Sequence, residues 1–278
     1  MPELPEVETI ARILRLGMQE QPALPGRHIL GVELLWARSL AEPIPAEFTV
    51  RLPGQVIEDI GRRGKFLVFR LSRDWLLFHL RMSGDLLVRP ACTNPANHDR
   101  LVLQLEGGYE LAFNDARKFG RVWLVNEVDR VLGGLGPEPL DESLTAHAIF
   151  ERLHTSHRQL KPLLLDQTFI AGLGNIYVDE ALNLARLHPL MSSHAITEKQ
   201  TIRLLASIRA VLRDGIARNG ASIDWVYRGG DFQNYFRVYQ RTGLPCPECG
   251  TPIARTIVGQ RGTHFCPSCQ PAPCPNGG

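Results

Sequence analysis

No stretch of this chain approaches the roughly 18 consecutive apolar residues that a membrane-spanning helix needs. Its opening, "MPELPEVETI", carries acids where an export signal would carry bases. These two absences argue against a membrane span and a signal peptide and predict a cytosolic protein. Only six cysteines occur in 278 residues, and in a reducing compartment they are expected as thiols or metal ligands and not as disulfides. No internal repeat or extended low-complexity tract is present, and 44% hydrophobic with 22% charged residues is ordinary for a folded chain. The length suggests two domains. A net charge of +2 is too small to mark the whole chain as a polyanion binder. Lysine is the scarcest cation, with only Lys65, Lys118, Lys161 and Lys199 among 31 basic residues. In so arginine-rich a chain, a retained lysine marks a position where a titratable amine can serve and a guanidinium cannot.

What is present is unevenly distributed. Residues 201–265 hold nine arginines against Asp214, Asp224, Asp231 and Glu248, which fits either a phosphate-binding surface or a solvated helix face. Near the start, Val7, Ile10, Ala11 and Leu14 recur at helical spacing, with Pro5 where a first turn accepts it and Glu6 and Glu8 at the positive end of the dipole. A helix therefore begins near Pro5 and leaves Pro2 and Glu3 outside it, at a free end. From Ile29 to Val125 the pattern turns to short β-rich runs, "KFLVFRL", "WLLFHL", "RLVLQL" and "YELAF", with Gly107-Gly108 as a tight hairpin between the last two. This predicts an antiparallel sheet domain with the N-terminal helix packed on it. After "GGLGPEPL" helical signals take over. Thr197 with Gln200 forms a capping box, Ile202, Leu205, Ile208 and Leu212 share a face, and Gly220 is the expected stop. The tail "QPAPCPNGG" is expected to be disordered.

Cys246 with Cys249 and Cys266 with Cys269 form two C-x2-C pairs separated by 16 residues. Each pair can grip a tetrahedral Zn²⁺, and the intervening length suits a β-hairpin that returns the second pair to the first. Four thiolates leave no open coordination position, so the metal holds shape and does no chemistry. Cys92 and Cys274 lie outside the pattern and are expected as a semi-buried thiol and a tail thiol. The hairpin carries Arg255 and Arg261, with Gln260, Thr263 and His264 nearby. That suits a nucleic-acid groove and equally a zinc ribbon that binds a partner without catalysis.

At the other end, loss of Met1 would expose the secondary amine of Pro2. An α-amino group titrates near about 7.7–8.0 and a free lysine near about 10.4, so the terminus is a nucleophile that needs little activation. A secondary amine attacking a sugar C1′ forms a cationic iminium, an electron sink for elimination. Glu3 beside it could protonate a leaving group or ring oxygen. The alternative is that Met-Pro-Glu simply precedes a helix.

Taken together, "PELPEVET", "GRRGKFLVF", "HLRMSGDL", "NDARKFG", "GLGNIYVDEAL" and the zinc hairpin resemble the bacterial formamidopyrimidine-DNA glycosylases, in the family's order from residue 2 to about 270. The resemblance implies an α+β fold: an N-terminal antiparallel β-sandwich with a packed helix, a helix-two-turn-helix domain and a β-hairpin zinc finger. It implies a bifunctional base-excision-repair enzyme that removes 8-oxoguanine and formamidopyrimidines and nicks the abasic strand, acting as a monomer on double-stranded DNA with one structural Zn²⁺. Pro2 would be the Schiff-base nucleophile, Glu3 the proton donor at the sugar, Lys65 the lysine of excision and β-elimination, and Arg261 the phosphate-binding arginine that assists δ-elimination. Met82 would fill the vacated stack, Phe119 act as a wedge and Arg117 read the orphaned cytosine, because flipping a base costs a few kcal/mol that inserted side chains must offset. Asn175 would open a helix and, with Lys161, hold phosphates; Arg158 and His98 match further DNA-contacting positions. "GLGNIY" lacks the third glycine of a dinucleotide fingerprint.

The expected division is 1–135 for the catalytic sandwich, 136–228 for the helix-two-turn-helix domain, 229–270 for a lesion-loop segment and zinc finger, and 271–278 for the tail. Two departures stand out. Ser156, His157 and Arg158 replace a more basic cluster, which predicts a weaker phosphate grip, and "RGGDFQNYF" at 228–236 lacks the family's usual Pro-Gly-Tyr-Phe form, which bears on the choice between oxidised purines. The nearest rival is the endonuclease VIII type for oxidised pyrimidines, whose opening has glycine where this chain has Leu4 and which lacks the Arg-x-Phe pair. A non-catalytic zinc-hairpin DNA-binding module is the rival of a different class; it would make Pro2, Glu3 and Lys65 expendable.

Overall fold

A computed structural model of the chain describes residues 1–18, 21–91, 94–222 and 229–273. Cys92, Cys274 and Arg228, with the tail from residue 274, lie outside the described residues. The chain divides into two compact units, Met1–Gly134 with Asn219–Gly230, and Leu135–Arg218 with Asp231–Gly278.

In the first unit, α1 (Leu4–Leu16) starts one residue before the expected Pro5 and buries Val7, Ile10, Ala11 and Leu14. The strands are β1 (Ile29–Leu34), β2 (Leu40–Glu42), β3 (Ile57–Arg63), β4 (Phe66–Leu71), β5 (Trp75–His79), β6 (Gly84–Pro90), β7 (Asp99–Leu105), β8 (Tyr109–Asp115) and β9 (Arg121–Val125), with the short helices α2 (Pro45–Arg51) and α3 (Asp129–Leu132). One sheet runs β1-β7-β8-β6 and the other β2-β9-β5-β4-β3. All pairings are antiparallel except β2 with β9, a parallel edge that three residues of sequence do not announce. The sheets and α1 share one core, in which Phe78 of β5 meets Phe113 of β8 edge-on at 5.7 Å. The β7–β8 hairpin closes where expected, through the three-residue turn of Glu106, Gly107 and Gly108, with both glycines at positive φ.

The second unit contains α4 (Ala146–His154), α5 (Leu160–Leu164), α6 (Asn175–Ala185), α7 (Glu198–Ala217) and the antiparallel hairpin of β10 (Ala254–Val258) and β11 (Arg261–Phe265). Thr197 and Gln200 form the expected capping box of α7. The helix ends at Ala217, before the expected stop at Gly220. Gly220 serves close approach instead: a Cβ there would fall 2.7 Å from the Glu6 carboxylate. No helix among the described residues is long and apolar enough to cross a membrane.

Candidate functional site

Pro2 and Glu3 do lie outside α1, yet neither is free: both are buried, Glu3 at 3% exposure, beside an exposed Met1. Glu3 is the N-cap of α1, and its N–H donates to Glu6 Oε2 at 2.8 Å. The other oxygen of Glu6 accepts the Ala221 N–H at 2.7 Å. One buried carboxylate therefore fastens both the N-terminal segment and the stem of the 219–230 segment. That stem is cross-tied by Ser222, whose Oγ donates to the Gly230 carbonyl at 2.8 Å.

Lys65 is buried at 5% exposure in the two-residue turn between β3 and β4. The turn is strapped to α1 by Arg62, whose Nε donates to Glu8 Oε2 at 3.1 Å and whose Nη1 donates to the Gly64 carbonyl at 3.0 Å. The charge of Lys65 reaches His79. Burial above all, with Arg81 and Lys65 adding to it, pushes that imidazole down to about 3. Neutral His79 accepts the Arg81 N–H at Nδ1, 3.1 Å away, and so holds the turn that presents Met82.

The segments that carry Met82, Arg117, Phe119 and His98 are tied to Asp115, which is 1% exposed, through Ser83, Arg117, Gly120 and His98. Its carboxylate accepts the Ser83 hydroxyl, the Arg117 N–H at 3.2 Å and the Gly120 N–H at 2.7 Å. Its own N–H donates to the His98 carbonyl at 3.0 Å. Met82 and Phe119 stay 39% and 50% exposed. The Arg117 guanidinium lies 5.2 Å from the Phe119 ring centre, cation–π distance.

In the second unit the four cysteine sulfurs lie within 4.8 Å of one another, with Cys246–Cys269 at 4.0 Å and Cys249–Cys266 and Cys249–Cys269 each at 3.5 Å. Sulfurs about 2.3 Å from a tetrahedral ion lie about 3.8 Å apart, so the cluster fits zinc, and the finger holds one structural zinc ion. Gln270, fully buried, ties this knuckle to α6: its Oε1 accepts the Cys266 N–H and Asn183 Nδ2, both at 2.9 Å, and its Nε2 donates to the Leu187 carbonyl. Glu180 fixes the approach to the knuckle by accepting the N–H groups of Arg237, Val238 and Tyr239, and burial raises its carboxyl. At the far end of the hairpin Gly259 and Gln260 both take positive φ, and exposed Arg261 follows the turn.

Arg158 is exposed and paired with Asp166 at 2.7 Å, which holds that carboxyl down near about 2. Lys161, expected from the resemblance to hold phosphate, is turned here to protein partners. It has no exposed side-chain surface, and its Nζ donates to Asp179 Oδ1 at 2.6 Å and to the Gly262 carbonyl at 3.1 Å. Asn175 opens α6 as expected, but its Nδ2 donates to the same Gly262 carbonyl at 3.0 Å. Sequence reasoning missed Glu6, His79, Asp115, Asp179, Glu180 and Gln270. Each is a polar residue that burial turns into a fastener, and burial is not visible at one position of a sequence.

An antiparallel β-sandwich with a helix in its core, followed by helices and a four-cysteine zinc hairpin, defines the class: an α+β zinc-finger protein of the sandwich and helix-two-turn-helix kind. Residues 1–122 match the Formamidopyrimidine-DNA glycosylase N-terminal domain, 135–226 the Formamidopyrimidine-DNA glycosylase H2TH domain, and 243–272 the zinc finger found in FPG and IleRS. The formamidopyrimidine-DNA glycosylase of Chloroflexus aurantiacus is 47% identical over 280 residues, covering 97% of this chain and 98% of its own. That of Enterococcus faecalis is 41% identical over 278 residues, with 97% of each covered. Among solved structures, wild-type Lactococcus lactis Fpg (MutM) with N7-benzyl-Fapy-dG containing DNA is similar at a TM-score of 0.89 and 37% identity, covering 98% of this chain and 100% of that one. MutM in complex with carbocyclic 8-oxo-G containing DNA is similar at 0.88 and 37%, with the same coverage. The chain belongs to the formamidopyrimidine-DNA glycosylase family.

Proposed function

We infer that the protein is a bifunctional DNA glycosylase and abasic-site lyase of base excision repair, which removes oxidised purines from double-stranded DNA in the cytoplasm. The reading divides the chain into a catalytic sandwich at 1–135, a DNA-binding helical domain at 136–228 and a lesion-loop and zinc-finger region at 229–270. Once Met1 is removed, the Pro2 nitrogen attacks C1′ of the damaged nucleotide. The C1′–N bond breaks, and the base leaves with that electron pair and takes up a proton. The proline nitrogen gives up its N–H proton, which goes to the departing base; its freed lone pair then opens the sugar, and Glu3 gives its proton to the ring oxygen as the C1′–O bond breaks and the iminium forms. Loss of a C2′ proton expels the 3′ phosphate in β-elimination. Loss of the C4′ proton expels the 5′ phosphate in δ-elimination, and water releases the amine. Lys65 serves excision and β-elimination, and Arg261 binds the phosphate that leaves last. Zinc supplies only the shape of the hairpin.

A single observation carries the base-flipping part of this reading. Two apolar side chains, Met82 and Phe119, stand exposed on turns that one buried carboxylate, Asp115, holds in place together with Arg117. Exposed apolar tips on a fixed frame suit insertion into a base stack, with Arg117 offering paired donors to the orphaned base. The test is excision from duplexes carrying 8-oxoguanine, formamidopyrimidine or an oxidised pyrimidine, each opposite its normal partner. The reading predicts faster release of the two purine lesions; preference for the pyrimidine would assign the chain to oxidised-pyrimidine repair.

A further inference from the structure

Arg261 stands at the end of the zinc hairpin opposite the metal. It precedes Cys266 by five residues of strand, or about 16 Å at the usual rise per residue. A two-stranded hairpin is marginal by itself, so zinc at its base does not fix its tip. β11 pairs with β10 on one edge, and its other edge meets side chains instead of a third strand. There Lys161 Nζ and Asn175 Nδ2 donate to the Gly262 carbonyl, at 3.1 and 3.0 Å. Asp179 Oδ2 accepts the His264 N–H at 2.9 Å. The ammonium stands where a neighbouring strand would place an N–H, and the carboxylate where it would place a carbonyl. The two are joined at 2.6 Å, and neither side chain has exposed surface. His264 Nδ1 lies 3.2 Å from the same carboxylate, and the Thr263 hydroxyl donates to the Arg261 carbonyl at 3.0 Å.

We propose that the buried Lys161–Asp179 pair is a positioning device for Arg261, substituting for a third strand along β11, and that Lys161 serves DNA through Gly262 and not by touching a phosphate. This rests on the reading that Arg261 assists δ-elimination. A hairpin tip that swings by an ångström or more delivers its guanidinium to the wrong place, and misplacement of that size can cost about a hundredfold in rate. The loss therefore falls on the step that needs Arg261, while β-elimination, which runs through Pro2, provides the internal reference.

The experiment uses the full-length, zinc-loaded protein on a duplex with one abasic site and reads the ratio of δ to β product in a single turnover. Wild type is compared with Asp179→Asn, Asp179→Glu, Arg261→Gln and the neutral pair Lys161→Met with Asp179→Leu. Zinc content is measured for each. The proposal predicts at least a tenfold fall in the ratio for Asp179→Asn with zinc retained, a similar fall for Arg261→Gln, and partial recovery in Asp179→Glu. If Asp179→Asn does not fold, the neutral pair decides, because replacing both charges by apolar groups spares the fold what one orphaned charge would cost; the same fall is expected there. A wild-type ratio in Asp179→Asn or in the neutral pair, with Arg261→Gln defective, would overturn the positioning role alone. A wild-type ratio in Arg261→Gln would overturn that role and the reading of Arg261 together.

Discussion

Truncating Glu6 to alanine would leave two buried N–H groups, those of Glu3 and Ala221, without the carboxylate they now reach at 2.8 and 2.7 Å. Glu6 is 2% exposed, so water does not replace it. A hydrogen bond to a charged group contributes about 1.5–3 kcal/mol, and an orphaned buried donor costs about 1–3. Two such donors give about 3–5 kcal/mol, after allowing for the relief of no longer burying a charge. Glu6→Gln keeps one acceptor oxygen and turns an NH2 toward the other donor, so about half that loss is expected. Because two units need not unfold together, the assay is amide hydrogen exchange at Glu3 and Ala221, with denaturant melting as the global check. Protection at both amides should collapse in Glu6→Ala and at one of them in Glu6→Gln, and borohydride trapping should fall as the Glu3 backbone loosens. A change below about 1 kcal/mol at both amides would refute the claim that this carboxylate holds the N-terminal segment and the 219–230 stem.

His79 titrates near 3 in the folded protein and near its ordinary 6.5 when unfolded. Between those values the unfolded chain binds the extra proton, so stability is complete above pH 6.5 and is lost as pH falls through the window. The loss is about 2 kcal/mol by pH 5, measurable by urea melts, and His79→Asn, which keeps an acceptor for the Arg81 N–H, should flatten the profile. Met82→Ala and Phe119→Ala remove half-exposed side chains; each should cost under about 1 kcal/mol of stability while slowing 8-oxoguanine excision at least tenfold, a split read by thermal melting beside single-turnover kinetics. Chelating zinc should unfold the hairpin around Cys246, Cys249, Cys266 and Cys269, weakening duplex binding in a gel-shift assay, with recovery on adding zinc back.

Features written in local sequence were legible. The apolar spacing of α1, the Gly107-Gly108 hairpin, the Thr197–Gln200 box and the paired C-x2-C knuckles each follow from residues a few positions apart. What was not legible depends on distant segments meeting. Glu6 reads as a dipole-friendly acid in a first helical turn, and only the fold brings Ala221 to it. Asp115 stands in the sequence only as one letter of "NDARKFG" until Ser83 and His98 are placed beside it. Lys161 carries the same letter whether it is exposed or buried, and only the fold shows its pairing with Asp179. Met82 and Phe119 fail in the opposite sense, since their chemistry says core and their exposure says otherwise.

The central claim is that the N-terminal proline is the nucleophile, and borohydride trapping on a duplex with 8-oxoguanine opposite cytosine tests it most directly. Mass spectrometry first confirms that Met1 is gone. The account predicts a covalent protein–DNA adduct with wild type, reduced by at least a hundredfold in Pro2→Gly and Glu3→Gln. An adduct of undiminished yield in Pro2→Gly, or none from zinc-loaded wild type with a free Pro2, would contradict it.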